Sequence, residues 1–266
     1  MSDRECVGLL RWALPRMGLR WEGFRRVRRQ VCKRIGRRVG ELGLAGMADY
    51  RSLLEADPDE WARLDAFCRV TISRFFRDRG AFERLGELLA ARASPSAPLR
   101  LWSAGCASGE EPYSLSILFH EVVEPAVPGA RLELLATDAD ASLVERARHG
   151  CYPEGSLVEV PPRWRERAFV RRGELWCLDE RFREGVALRC EDLREAMPDG
   201  PFALIACRNL VFTYFGEPLC GEVLEKLLVR LEPGGLLFVG AHESVAHPAL
   251  EQLGRGVPLY CKRSGA

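Results

Sequence analysis

A parallel, doubly wound α/β sheet preceded by a small all-helical domain is the fold class predicted by this 266-residue sequence, and three features predict it. Up to about Leu89, apolar residues recur at helical spacing, as at Phe24, Val27, Val31, Ile35 and Val39, the period of a helix with one buried face. The period then changes: LRLWSAG, LELLATD, FALIACRN and GLLFVGA, bounded by Gly, Asp or Pro, alternate with amphipathic stretches, as strand–helix–strand units do. Between the two regimes lies ARASPSAP, whose Ser and Pro content marks a linker.

The expected organisation is therefore a helical domain over 1–90, a linker over 91–98 and an α/β domain over 99–266. Within the last, the short runs ELWCLDE and GVALRCED predict a β insertion near 163–190. With 47% hydrophobic residues the chain can bury a sizeable core, so disorder is not the default reading. Net charge is only +1, yet residues 1–40 hold twelve Lys/Arg against three Asp/Glu. Such asymmetry points to an acidic partner for the basic helix around Arg25–Arg38. Nucleic acid is disfavoured, because this segment lacks interleaved aromatics beyond Trp21 and Phe24. No apolar run matches a membrane span or a secretory signal, so no membrane insertion and a cytoplasmic protein are expected. The ten cysteines form no C-x-x-C pair, and reduced thiols packed as small apolar residues are expected.

The first strand runs into Gly105-Cys106-Ala107-Ser108-Gly109-Glu110-Glu111-Pro112-Tyr113, followed directly by a helical pattern. Glycines at such a turn let a ligand approach the backbone, and the helix start offers unpaired N–H groups. A phosphate loop is excluded, since its lysine is absent and two glutamates stand there. Carboxylates would repel phosphate but attract an ammonium or sulfonium group, and S-adenosylmethionine carries both. The second strand ends in Asp138, placed to accept hydrogen bonds from ribose hydroxyls. The bland readings stand beside these: a glycine turn is usually just a turn, and an acid after a strand usually caps a helix.

Over nearly its whole length the chain resembles the CheR-type chemotaxis protein-glutamate O-methyltransferases. The resemblance rests on TISRFFRD (71–78), LRLWSAGCASGEEPYS (99–114), LLATDADASLVERARHGCY (134–152), CRNLVFTYF (207–215) and LEPGGLLFVGAHES (231–244). It implies methyl transfer from S-adenosylmethionine to glutamates of a chemoreceptor cytoplasmic domain, with S-adenosylhomocysteine as product, and an N-terminal helical domain that meets the receptor. Position by position it implies cofactor contacts from Ser73, Arg77, Gly105, Glu110 (amino group), Asp138 (ribose), Asp192 and Leu193 (adenine), Arg208 and Asn209. It implies methyl-transfer roles for Arg77, Arg208 and Tyr214, although Tyr214 stands one residue further on than the family's tyrosine. The insertion around Gly173–Gly185 is shorter than in members that dock onto a receptor tail peptide, so tail docking is not expected. An ionised glutamate needs no general base, which agrees with the lack of any Ser-His-Asp or Cys-His spacing. Two alternatives stay open at this point: a CheR-like enzyme acting on a small molecule or another signalling protein, and a non-catalytic S-adenosylmethionine-binding module.

Overall fold

The computed structural model describes residues 3–264, which divide into two compact units, one running up to Ile72 and including Thr213–Glu222, the other Ser73–Phe212 with the chain from Val223 onward. The first unit is helical: α1 (Asp3–Ala13), α2 (Trp21–Phe24), α3 (Arg28–Glu41), α4 (Met47–Ala56) and α5 (Pro58–Cys68). The apolar positions Val31, Ile35 and Val39 of α3 are buried, as their spacing requires. Asp57 caps α5 by accepting from the Asp59 N–H, with Pro58 in the first turn. Inside the unit Glu60 is 2% exposed. It is held by two hydrogen bonds from Arg38, at 3.0 and 2.9 Å, and one from the Tyr50 hydroxyl at 2.9 Å.

In the second unit α6 (Arg79–Ala90) leads into β1 (Leu99–Ala104), α7 (Glu110–Leu118) with a π-helical extension, and α8 (Glu124–Ala126). There follow β2 (Leu132–Asp138), α9 (Ala141–His149), β3 (Cys151–Pro153), α10 (Pro162–Ala168), β4 (Phe169–Arg172), β5 (Leu175–Leu178), β6 (Val186–Cys190) and β7 (Phe202–Ala206). α11 (Val211–Tyr214) and α12 (Leu219–Arg230) carry the chain through the first unit's Thr213–Glu222 to β8 (Leu231–Phe238), β9 (Leu250–Gln252) and β10 (Leu259–Lys262). The main sheet has the order β6-β2-β1-β7-β8-β10-β9. β6 through β8 run parallel, with registers such as Trp102↔Leu135 and Ile205↔Leu237, and β10 is antiparallel to both neighbours. This is the α/β sheet expected, and the order reverses at β1, opening a crevice at the carboxyl ends of β1 and β7.

Three details differ from the sequence reading. The division between units falls at Ile72/Ser73, and residues 91–98 lie inside the second unit. The reason is packing: Phe82, Leu85 and Leu89 of α6 share one buried cluster with Leu101, Leu236 and Phe238, while Ser94 and Ala97 close a tight bridge. The β insertion begins earlier, as the antiparallel sheet β3-β5-β4, whereas GVALRC supplies β6, a parallel edge strand paired from Leu134↔Val186 to Asp138↔Cys190. The cysteines are not all reduced: Cys6–Cys32 and Cys151–Cys177 are disulfides. Cys6 and Cys32 meet where α1 and α3 bury the same face, and Cys151 and Cys177 sit opposite each other in the β3–β5 register.

Candidate functional site

Every parallel strand at the switch point delivers a residue to its carboxyl end: Gly105 after β1, Asp138 at the end of β2, Asp192 after β6 and Arg208 after β7. The glycine-rich turn is tied to β2, because the Gly105 and Cys106 N–H groups both donate to the Thr137 carbonyl, at 2.8 and 2.9 Å. Gly109 precedes α7 at φ +95°, in the left-handed region open to glycine. A Cβ there would lie 2.8 Å from the Ala147 Cβ and 2.9 Å from the Tyr152 hydroxyl. That hydroxyl donates to the Ser108 carbonyl at 2.9 Å, fixing the turn from the β3 side.

Glu110 opens α7 and is 3% exposed. Among the described residues both its carboxylate oxygens meet a single donor, the Ser108 hydroxyl, at 3.1 and 2.9 Å. A buried carboxylate so sparsely partnered is suited to a cation, and the positive end of the helix favours its charge. The neighbouring thiol, Cys106, is pushed well up by burial and then by the Asp138 charge, so it is no nucleophile.

Asp138 accepts from the Ala107 N–H and the Asp140 N–H, each at 2.9 Å. It does not cap the following helix; Asp140 does, accepting from the N–H groups of Ser142 and Leu143. The bland reading of an acid after a strand therefore applies to Asp140, and Asp138 is built into the glycine turn instead. Asp192 has a different setting: Arg194 folds back on its carboxylate with contacts of 2.6 and 3.0 Å. Leu193 beside it is buried.

Ser73 lies in an irregular stretch, and Arg77 in a turn with Phe76 at φ +50° and Asp78 at φ +69°. Arg208, 8% exposed, donates to the Arg77 carbonyl at 2.6 Å, to Asp78 at 2.7 Å and to Glu111 at 3.3 Å. Its guanidinium lies against the Phe82 and Phe238 rings, 5.3 and 4.3 Å from their centroids. Burial lifts the Glu111 carboxyl above its ordinary range, with Arg208 and Ser103 pulling against it. Asn209 sits at φ +55°, and Glu243 accepts from its N–H at 2.8 Å and from that of Gly240. Tyr214 belongs to the first unit, where its ring packs 4.9 Å from Phe24 and its carbonyl accepts from the Arg20 N–H at 2.8 Å. Asp78, Glu111 and Glu243 were not singled out from sequence; the Glu-Glu doublet after Gly109 was the visible signal for Glu111.

The family model described as CheR methyltransferase, SAM binding domain, matches residues 71–255. The chain belongs to the CheR methyltransferase family. It is 33% identical over 82% of its length to chemotaxis protein methyltransferase 2 of Pseudomonas aeruginosa, covering 79% of that protein. It is 32% identical over 81% of its length to an uncharacterized 104.1 kDa protein of Rhodobacter capsulatus, of which it spans only 23%. Among solved structures, an SAM-dependent methyltransferase from Geobacter sulfurreducens in complex with S-adenosylhomocysteine is similar over 71% of this chain and 55% of that one, with 15% identity and a TM-score of 0.36. As a CheR methyltransferase the chain is an enzyme that uses S-adenosylmethionine. The donor set fits that cofactor: a buried acid short of donors for an ammonium, a strand-end acid for ribose hydroxyls, and a glycine turn between them. Among the described residues no cluster of side chains could hold a metal ion, and no helix is long and apolar enough to cross a membrane.

Proposed function

We propose that the protein methylates glutamate side chains of an acidic, helical, chemoreceptor-like protein, forming glutamate methyl esters and S-adenosylhomocysteine. The observation that carries this reading is the buried Glu110 carboxylate beside the Asp138-anchored glycine turn, together with membership of a family whose named relatives are chemotaxis methyltransferases. In this reading Glu110 holds the cofactor's ammonium, Asp138 its ribose, and Gly105 admits it to the backbone. Asn209, Ser73 and Leu193 complete the cofactor contacts. Asp192, neutralised by Arg194, offers the adenine end a dipole more than a charge.

Bound S-adenosylmethionine supplies an electrophilic methyl group on a sulfonium. The acceptor carboxylate is already ionised near neutral pH, so the chain need not remove a proton. What its residues do is position and desolvate: Arg77 reaches the cofactor and orients the acceptor beside it by paired hydrogen bonds. The absence of an activated thiol at the turn agrees with this, since Cys106 is held protonated.

The partner surface we assign is a stripe of α3. Arg34 donates to the Phe67 and Arg69 carbonyls and Arg38 grips Glu60, so both turn into their own unit. Arg29, Lys33 and Arg37, one turn apart along the helix, are exposed. An acidic helix would meet that stripe. The reading is tested by incubating the protein with methyl-labelled S-adenosylmethionine and membranes bearing chemoreceptors, then treating the product with mild alkali. Release of label as volatile methanol is the expected result; base-stable label would exclude an ester.

A further inference from the structure

Arg208 follows β7 and was expected to face the acceptor, yet its terminal nitrogens already have protein partners. One of them binds the Arg77 carbonyl and the Asp78 carboxylate together, and the other binds Glu111. Glu111 is oriented in turn by the Ser103 hydroxyl of β1, which donates to its other oxygen at 2.7 Å. Four elements are joined in this way: β1, the first turn of α7, the residue after β7, and the turn that carries Arg77.

That turn requires holding. Phe76 and Asp78 both occupy the left-handed region, which side chains with a Cβ adopt only when surrounding contacts enforce it. Phe76 is secured by burial and by its N–H donating to the Ser114 hydroxyl at 2.9 Å. At its other end the turn is secured by Arg208, which reaches the backbone carbonyl of Arg77 itself. The Phe82 and Phe238 rings against the guanidinium, and its 8% exposure, leave it little freedom to swing elsewhere.

We propose that Ser103, Glu111 and Arg208 form a buried strut that sets the backbone of residues 76–78 and so presents the Arg77 side chain to the cofactor site. Arg208 and Glu111 are positioning residues here, acting through Arg77. The inference rests on the reading above that Arg77 serves the cofactor site. A strut of this kind explains why the pair is buried: an ion pair in a low-dielectric interior stabilises little in itself but permits few alternative geometries. Lysine at position 208 would keep the charge and lose the fork that spans two partners.

The test is a double-mutant cycle on the full chain, read by calorimetric titration with S-adenosylhomocysteine and checked by thermal melts. Arg208→Lys should weaken binding by about tenfold and Ser103→Ala by about threefold, and each effect should shrink below about twofold in the Arg77→Ala background. Equal factors in both backgrounds would overturn the strut while leaving Arg77 in the site, because a merely structural role adds independently. No weakening by either variant in the native background overturns it as well. If Arg77→Ala alone leaves affinity unchanged, the placement of Arg77 fails and the strut's purpose with it. Should Arg208→Lys not fold, Ser103→Ala decides, since it removes one surface-distant hydroxyl from the second partner of the chain of contacts.

Discussion

Replacing Asp138 by alanine separates a ligand carboxylate from a helix cap two residues away. Its oxygens accept two backbone N–H groups at 2.9 Å, from Ala107 in the glycine turn and from Asp140; the ribose would be a further partner. A hydrogen bond to a charged group contributes about 1.5 to 3 kcal/mol, so loss of the ribose contact should weaken S-adenosylhomocysteine binding by about ten- to hundredfold. The matched control is Asp140→Ala, which removes the side chain that accepts from Ser142 and Leu143 at the start of α9. That change should cost about 1 kcal/mol of unfolding free energy and alter affinity by less than about twofold. Isothermal calorimetry and thermal melts on both variants decide the matter. The reasoning fails if Asp138→Ala binds like the parent, or if both variants lose affinity equally, since the carboxylate would then act only by ordering the loop.

Glu110→Gln keeps the shape and the Ser108 hydrogen bond but removes the charge; it should lower affinity at least about tenfold while the melting midpoint holds or rises, because a buried charge is gone. In the first unit, the hydrogen bonds from Arg38 hold the Glu60 carboxyl below its ordinary value of 4.5. Its stabilisation is therefore present above that pH and lost as pH falls through the lowered value. Far-UV melts between pH 6 and pH 2 should show this acid limb, and Glu60→Gln should be less stable at neutral pH with a flatter limb. Each disulfide closes a separation of 26 residues, so reduction should destabilise by about 3 kcal/mol per bond. Alkylation of the unfolded, unreduced chain should label the six cysteines outside the two disulfides, and labelling of all ten would contradict the pairing. Reversing Arg29, Lys33 and Arg37 to Glu should slow receptor methylation at low salt, chiefly through association, with cofactor affinity unchanged. Normal rates in that variant would place the docking surface elsewhere.

Some of the site could be read directly and some could not. A strand-end acid was legible in LELLATD, but DADA holds two acids and sequence does not say which one caps α9; the structure gives that role to Asp140 and ties Asp138 to the glycine turn. The arginines of α3 read as one basic run, whereas packing divides them into inward residues, Arg34 and Arg38, and an outward stripe. Residues 91–98 have linker composition, yet α6 before them packs under the sheet because Phe82, Leu85 and Leu89 complete its core.

The sequence by itself determined the α/β class, the strand segments that carry the ligand-facing turns, the family and its cofactor. These follow from local periodicity and from motifs contiguous in the chain, which survive without knowledge of partners. Tertiary structure alone decided that Arg208 meets Glu111 from 97 residues away and Asp78 from 130, that Cys6 finds Cys32 and Cys151 finds Cys177, and where the compact units divide. The physical reason is common to all three: which group a long or reactive side chain meets is set by close packing of elements remote in sequence, and no local pattern encodes that distance.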